Sequence, residues 1–149
     1  MKFLNNFKTL SFVIVAILFI SCGGVSEKED KKGAKKIEIG EVTATYSVEA
    51  LTNHEYTFSG GDLAKKSDNP DLTLQRGKTY QFKVETFGHP FLIKTKQVIG
   101  PKELYEKGVI NNGTEYGTIS FVVPKDAPDT LFYVCKFHKM MTGKLIITD

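Results

Sequence analysis

The chain has 149 residues, of which 41% are hydrophobic, and a formal net charge of +3. This length corresponds to one domain with short additional segments. The excess positive charge lies in residues 1–36, which hold seven lysines and three acidic residues, so the rest of the chain is close to neutral. A near-neutral domain without a basic patch argues against a nucleic-acid partner.

The N-terminus has the pattern of an export signal. Lys2 and Lys8 precede an apolar run, LSFVIVAILFI, at residues 10–20. The run is shorter than the roughly 20 apolar residues that a membrane-spanning helix needs. A basic start followed by a short apolar stretch and small residues predicts a signal peptide over residues 1–21.

The end of this signal, FISCGG, resembles a bacterial lipoprotein signal, in which cleavage leaves a cysteine as the lipid-bearing N-terminus. The resemblance implies lipid attachment at Cys22 and an exported protein held at a bacterial membrane, on the periplasmic side or at the cell surface. Phe19 stands where such signals usually have Leu. The alternative is a cysteine in an ordinary cleaved signal.

Residues 22–36 carry charges of both signs and only one larger apolar residue, Val25. Such a segment buries too little surface to offset its ordering entropy, which predicts a flexible tether. The folded domain is then expected over residues 37–149.

From residue 37 onward, short runs of alternating apolar and polar residues are separated by turn residues, which predicts an all-β fold. About seven or eight strands in an antiparallel sandwich or barrel are expected. PKELYEKG, at residues 101–108, is the one stretch that could form one or two helical turns. The expected core residues are apolar and occur mostly at alternate positions: Phe58, Leu72, Tyr80, Phe82, Val84, Phe91, Ile93, Ile119, Phe121, Val123, Phe132, Val134, Leu145 and Ile147.

One short loop combines three soft metal-binding side chains. In YVCKFHKMMTG, His138 lies three residues after Cys135, and Met141 lies three after His138. A thiolate, an imidazole and a thioether together suit copper, particularly if a second imidazole joins them. His89 lies between two strand-like runs and is the candidate for that role, whereas His54 lies in a polar stretch and is expected at the surface.

Two alternatives remain open on spacing alone. A catalytic zinc site with an open position could use similar ligands, although structural zinc prefers four strong nitrogen or sulfur ligands. Met140 competes with Met141 for the thioether position, and the spacing favours Met141. If Cys22 carries lipid, Cys135 has no disulfide partner in the chain and needs burial, another chain or a metal.

The loop YVCKFHKMMTGKL resembles the ligand loop of the cupredoxins, the small blue copper proteins, in its shorter, amicyanin-like form. NPDLTL, GHPF and the GTISFVVPKDAPDTLFYVC segment also resemble a group of secreted bacterial cupredoxin-like proteins. The resemblance implies a Greek-key β-sandwich that binds one copper ion through His89, Cys135, His138 and an axial Met141. One departure is Pro90, because an Asn that hydrogen-bonds to the ligand loop commonly follows the upstream His in this family.

A cupredoxin is expected to be a monomeric one-electron carrier that cycles Cu(I) and Cu(II), and not an enzyme. The resemblance implies that electrons leave through His138, with Phe137 and Met140 in a docking patch for a redox partner whose identity the sequence does not reveal. Two alternatives are a copper storage or delivery module with the same ligands, and a metal-free binding domain.

Overall fold

The structure is a computed structural model that describes residues 37–149. The predicted signal peptide and tether, and with them Cys22, lie outside the described residues. Ten strands occur in that part: β1 (Val42–Glu49), β2 (Thr57–Gly60), β3 (Ser67–Asp68), β4 (Leu72–Gln75), β5 (Thr79–Glu85), β6 (Phe91–Lys94), β7 (Val109–Ile110), β8 (Tyr116–Val122), β9 (Thr130–Cys135) and β10 (Thr142–Thr148). Within these residues, no helix is long and apolar enough to cross a membrane.

The strands form two sheets, which confirms the predicted all-β sandwich. One sheet has six strands in the order β3-β2-β1-β5-β8-β7, and the other has four in the order β4-β10-β9-β6. Most neighbouring strands are antiparallel, but β1 pairs with β5 and β4 pairs with β10 in parallel. The sheets are therefore mixed, where the sequence predicts antiparallel pairing throughout.

The number of strands exceeds the predicted seven or eight because of two very short ones. β3 and β7 have two residues each and form the two edges of the six-stranded sheet. Short edge strands limit the row of unpaired backbone groups that an edge presents to other chains. Two residues are too few to give an alternating pattern, so these strands are not recognisable in the sequence.

The turn between β4 and β5 connects the two sheets and is not a hairpin. Gly77 in this turn has a φ of 76°, in the left-handed region that favours glycine. Its backbone N–H donates to the carbonyl of Val123 at 2.7 Å. The glycine thus turns the chain from the four-stranded sheet into the six-stranded one.

The core lies between the sheets and is rich in aromatic rings. Phe91 stacks on Tyr133, with ring centroids 5.4 Å apart, and contacts Phe82 at 5.5 Å and Tyr56 at 5.2 Å. These four rings are buried, and aromatic pairs add roughly 0.5–1.5 kcal/mol each beyond the burial of their area. Phe82 belongs to the six-stranded sheet and Phe91 and Tyr133 to the four-stranded one, so these rings pack the two sheets together.

The core prediction for β9 is wrong for Phe132 but confirmed for Val134 as a buried residue. The residues of β9 that join the core cluster are Leu131, Tyr133 and Cys135. Phe132 is only half-buried, and Val134 is buried outside that cluster. Because successive side chains of a strand point to opposite faces, this places Cys135 on the same face as Tyr133.

Residues 101–108 form turns rather than a helix, so the helical prediction is also wrong. Tyr105 donates its backbone N–H to the carbonyl of Ile93 at 3.0 Å, and Leu104 bridges to Lys94. Part of the segment's backbone thus pairs with β6, and the carbonyl of Gly108 accepts the N–H of Val122 in β8 at 2.8 Å.

Candidate metal centre

His89 lies on a tight turn between β5 and β6. Its backbone N–H donates to the carbonyl of Thr86 at 2.7 Å, and Gly88 within the turn has a φ of 80°. The N–H of Gly88 donates to a carboxylate oxygen of Glu115 at 2.9 Å. The hydroxyl of the buried Thr86 donates to the carbonyl of His89 at 2.8 Å. The turn therefore fixes the backbone of His89 at one end of the sandwich.

Cys135 is the last residue of β9, and its side chain is fully buried. It is opposite Phe91 in the pairing of β9 with β6, and its N–H donates to the carbonyl of Met141 at 2.9 Å. Its sulfur accepts the N–H of Phe137 at 3.5 Å. The thiolate is the form of cysteine that binds a metal.

Three of the four predicted ligands come together. Nδ1 of His89 lies 3.0 Å from Nδ1 of His138, and the sulfur of Cys135 lies 3.6 Å from His138 Nδ1 and 3.9 Å from His89 Nδ1. A circle through three atoms with these separations has a radius of about 2.1 Å, close to a typical metal–imidazole bond length. One ion therefore fits between all three donor atoms. That they bind a metal stays a prediction.

The environment of His89 favours the neutral imidazole that a metal ligand must have. Burial lowers the pKa of His89, and the charge of His138 lowers it further, while Glu115 opposes both. Protonation of one ring disfavours protonation of the other because like charges repel at this distance. Both rings are partly exposed, so the donor group lies just below the surface.

The donor set favours copper over structural zinc. A trigonal His₂Cys arrangement is characteristic of copper electron-transfer sites. Among the residues that the structure describes, the group contains no fourth histidine, cysteine or carboxylate, which structural zinc would need. The residues present thus fit a single copper ion.

Met141 and Met140 differ sharply in their environments. Met141 is fully buried in the same core cluster as Cys135, whereas Met140 is 65% exposed. The backbone N–H of Met141 donates to the carbonyl of His138 at 3.3 Å, which closes the loop over the donor group. This difference in burial agrees with the preference for Met141, and its ligation stays a prediction.

The other histidine lies outside the group. His54 is exposed in the loop before β2, as expected from its polar surroundings. Its carbonyl accepts a hydrogen bond from the side chain of Asn69 at 3.3 Å.

Besides Thr86 and Glu115, sequence reasoning missed Tyr56 and Asn69, which also contact the ligand segments. The hydroxyl of the buried Tyr56 lies 3.0 Å from the carbonyls of both His89 and Pro90. Asn69 donates from its side chain to the carbonyl of Met140 at 3.0 Å. Burial raises the pKa of Tyr56, as does the nearby Cys135, so the phenol is protonated and acts as a donor. No local pattern marks either residue, because each contact joins distant parts of the chain.

Exposed apolar side chains accompany the ligands along the chain. Phe137 precedes His138 and is 54% exposed, and Phe87 precedes His89 by two residues and is 93% exposed. Lys136 and Lys139 flank the same part of the ligand loop and are also exposed. The predicted docking patch residues, Phe137 and Met140, are thus accessible.

A two-sheet β-sandwich with a His₂Cys group at one end is the arrangement that the resemblance to the cupredoxins predicts. Comparison with solved structures finds reduced rusticyanin, with 21% identity, a TM-score of 0.45, and coverage of 70% of this chain and 78% of that chain. Rusticyanin from Thiobacillus ferrooxidans matches with 21% identity, a TM-score of 0.43, and coverage of 70% and 76%. A variant multicopper oxidase from Aquifex aeolicus matches with 14% identity, a TM-score of 0.38, and coverage of 76% and 28%.

No family model and no curated protein matches the chain. The similarities to solved structures are too distant to transfer the role of any residue. The likeness of this chain to the cupredoxins therefore rests on its own two sheets and donor group.

Proposed function

We propose that this protein is an exported, lipid-anchored electron carrier that cycles one copper ion between Cu(I) and Cu(II). The proposed ligands are His89, Cys135 and His138, with Met141 as a weak axial ligand. The observation that carries the proposal is the triangle of donor atoms, whose sides of 3.0, 3.6 and 3.9 Å fit one ion. A soft thiolate with two imidazoles suits copper in both oxidation states.

The way in which the ligands are held favours electron transfer. His89 is on a turn with its own hydrogen bonds, and Cys135 ends a central strand of the four-stranded sheet. Ligands fixed by a rigid scaffold change position little when the metal changes oxidation state, which keeps the barrier to electron transfer low. The role of the protein is then to carry an electron and not to transform a substrate.

The surface near His138 is suited to a redox partner. His138 is partly exposed, and the neighbouring Phe137 and Met140 are accessible apolar side chains. Weak redox encounters use small interfaces of under about 1,200 Å². We propose that electrons leave through His138 at such an interface, with this protein as a monomer.

Export and anchoring are proposed from the N-terminal sequence. The short apolar run ends in ISC, which favours lipid attachment at Cys22. Stable anchoring takes more than one lipid signal, and a multiply acylated N-terminal cysteine supplies this. The charged residues 23–36 would then separate the domain from the membrane surface.

Copper storage or delivery is the second candidate function. It is favoured by the partial exposure of both imidazoles, which gives a small chelator or another protein access to the ion. The same ligands would serve, and no redox cycling would be needed.

Voltammetry of the purified, copper-loaded protein distinguishes the two functions. An electron carrier is expected to give a reversible one-electron couple and to retain its copper through repeated cycles. A delivery protein is expected to release Cu(I) to a competing chelator upon reduction. Release on the first reduction, without a reversible couple, would contradict the electron-carrier proposal.

A further inference from the structure

The side chain of Tyr56 connects the core to the segment that carries His89. The ring is fully buried and packs edge-on against Phe91, with centroids 5.2 Å apart. The hydroxyl lies 3.0 Å from the carbonyl oxygens of His89 and of Pro90. The carbonyl of Pro90 also accepts the N–H of Lys136, next to Cys135, at 3.2 Å. One hydroxyl thus contacts the point where the two ligand segments meet.

Asn69 connects Tyr56 to the other side of the ligand loop. The backbone N–H of Tyr56 donates to Oδ1 of Asn69 at 2.9 Å, and the N–H of Asn69 donates to the carbonyl of Tyr56 at 2.9 Å. The side-chain nitrogen of Asn69 donates to the carbonyl of Met140 at 3.0 Å. Asn69 adopts a φ of 44°, in the left-handed region that Asn tolerates better than most residues. Such a backbone persists where surrounding contacts fix it.

Tyr56 and Asn69 hydrogen-bond to the ligand segments, whereas Pro90 donates no hydrogen bond to the ligand loop. Proline has no backbone N–H and no polar side chain, so the residue after His89 donates no hydrogen bond to the ligand loop. The carbonyl of His89 also accepts the Thr86 hydroxyl at 2.8 Å, and the carbonyl of Pro90 also accepts the N–H of Lys136, but neither of these donors contacts both carbonyls. Tyr56 is the buried side chain that reaches both.

We propose that Tyr56 and Asn69 form a clamp that positions the metal ligands, with Tyr56 holding the His89 segment and Asn69 holding the ligand loop at Met140. They are positioning residues and not ligands. The part of the inference that concerns copper rests on the proposed function. Groups that orient metal ligands typically change metal affinity by about 10- to 100-fold when they are removed.

Tyr56→Phe tests the clamp because it removes one hydroxyl and keeps the buried ring. Tyr46→Phe is the matched control, since Tyr46 is equally buried, stacks on Phe82 and donates its hydroxyl to Asp62. Asn69→Gly is the second variant, because glycine accepts the positive φ and removes the side-chain hydrogen bonds to Tyr56, Met140 and His54. All three are made in the full-length protein.

The first measurement is the dissociation constant for Cu(II), together with the reduction potential. Tyr56→Phe and Asn69→Gly are expected to weaken Cu(II) binding by about 10- to 100-fold and to shift the potential. Tyr46→Phe is expected to change neither. Equal affinities and potentials in Tyr56→Phe and the unmodified protein would overturn the inference for the metal site.

The second measurement needs no metal and separates the clamp from the proposed function. In metal-free protein, hydrogen exchange at the Lys136 amide reports on its bond to Pro90. Tyr56→Phe is expected to accelerate this exchange by about tenfold, whereas Tyr46→Phe leaves it unchanged. Unchanged exchange in Tyr56→Phe would overturn the clamp, even if copper binds. Faster exchange in a protein that binds no copper would sustain the clamp and overturn the proposed function.

Discussion

Nδ1 of His89 lies 3.0 Å from Nδ1 of His138, which is a hydrogen-bonding distance. The two nitrogens cannot both carry a proton at this separation. At this separation the two nitrogens can share one proton or bind one cation. A metal ion that binds both nitrogens displaces the shared proton. The two imidazoles and the thiolate of Cys135 are thus arranged so that a cation replaces a proton.

The prediction that His89 is a metal ligand can be tested by comparing copper binding after separate substitution of His89 and His54. His89→Ala is expected to weaken copper binding by more than the roughly 10- to 100-fold that loss of a positioning group costs, because a donor atom is removed. His54→Ala is the control and is expected to bind as the unmodified protein does, since His54 is exposed outside the group. Metal competition titrations measure both. Loss of binding in His54→Ala with retention in His89→Ala would show the assignment to be wrong.

The lowered pKa of His89 predicts how the stability of the metal-free protein depends on pH. Burial and the charge of His138 lower the pKa in the folded state, while an unfolded histidine has a pKa of about 6.5. Between the two values the unfolded chain binds more protons, so the free energy of unfolding falls as the pH falls through about 6.5. The dependence levels off below the folded-state pKa.

Thermal unfolding of the metal-free protein between about pH 8 and pH 5 measures this dependence. His89→Gln removes the titrating group and is expected to flatten the curve. Identical slopes for the unmodified protein and His89→Gln would contradict the prediction.

The fold could be predicted where one face of a strand is polar. β5 and β10 alternate between buried and exposed residues over most of their length, and both were recognisable by that alternation. β9 has apolar residues at Leu131, Phe132, Tyr133 and Val134, so its sequence does not reveal which face meets the core. The order of the strands, with two parallel pairs, depends on long-range contacts that alternation does not encode.

Part of the donor group could be predicted from the sequence, because two of its members, Cys135 and His138, lie three residues apart in one loop. His89 required the additional observation of a histidine between two strand-like runs. Tyr56 was not recognisable, since it lies 33 positions before His89 and has the alternating neighbours of an ordinary strand residue. Contacts at such separations arise only when the sheets pack together.

Because Met141 is the predicted axial ligand, substitutions of Met141 and of Met140 are expected to change the reduction potential by different amounts. Met141→Leu is expected to raise the reduction potential and to retain copper, because a weak thioether donor to the metal is lost. Leu and Met have similar volumes, so the buried site should remain packed. Met140→Leu is the control and is expected to leave the potential nearly unchanged, because Met140 is 65% exposed. Voltammetry of both variants decides this, and a larger shift in Met140→Leu would reverse the assignment.

Lipid attachment at Cys22 predicts how the protein partitions in cells. Cys22→Ser is expected to release the protein to the soluble fraction or to leave it unprocessed, because no residue remains to accept acyl chains. Fractionation and intact mass measure the outcome. The same mass and the same membrane partitioning in Cys22→Ser would rule out the lipoprotein prediction.

The central claim is that one copper ion binds to His89, Cys135 and His138, and a Cu(II) titration followed by visible absorption tests it most directly. The unmodified protein is expected to develop an intense thiolate-to-Cu(II) charge-transfer band that saturates at about one copper per chain, as a His₂Cys site requires. Cys135→Ser is expected to lose this band. A spectrum with no charge-transfer band in the unmodified protein, or a band that persists in Cys135→Ser, would contradict the claim.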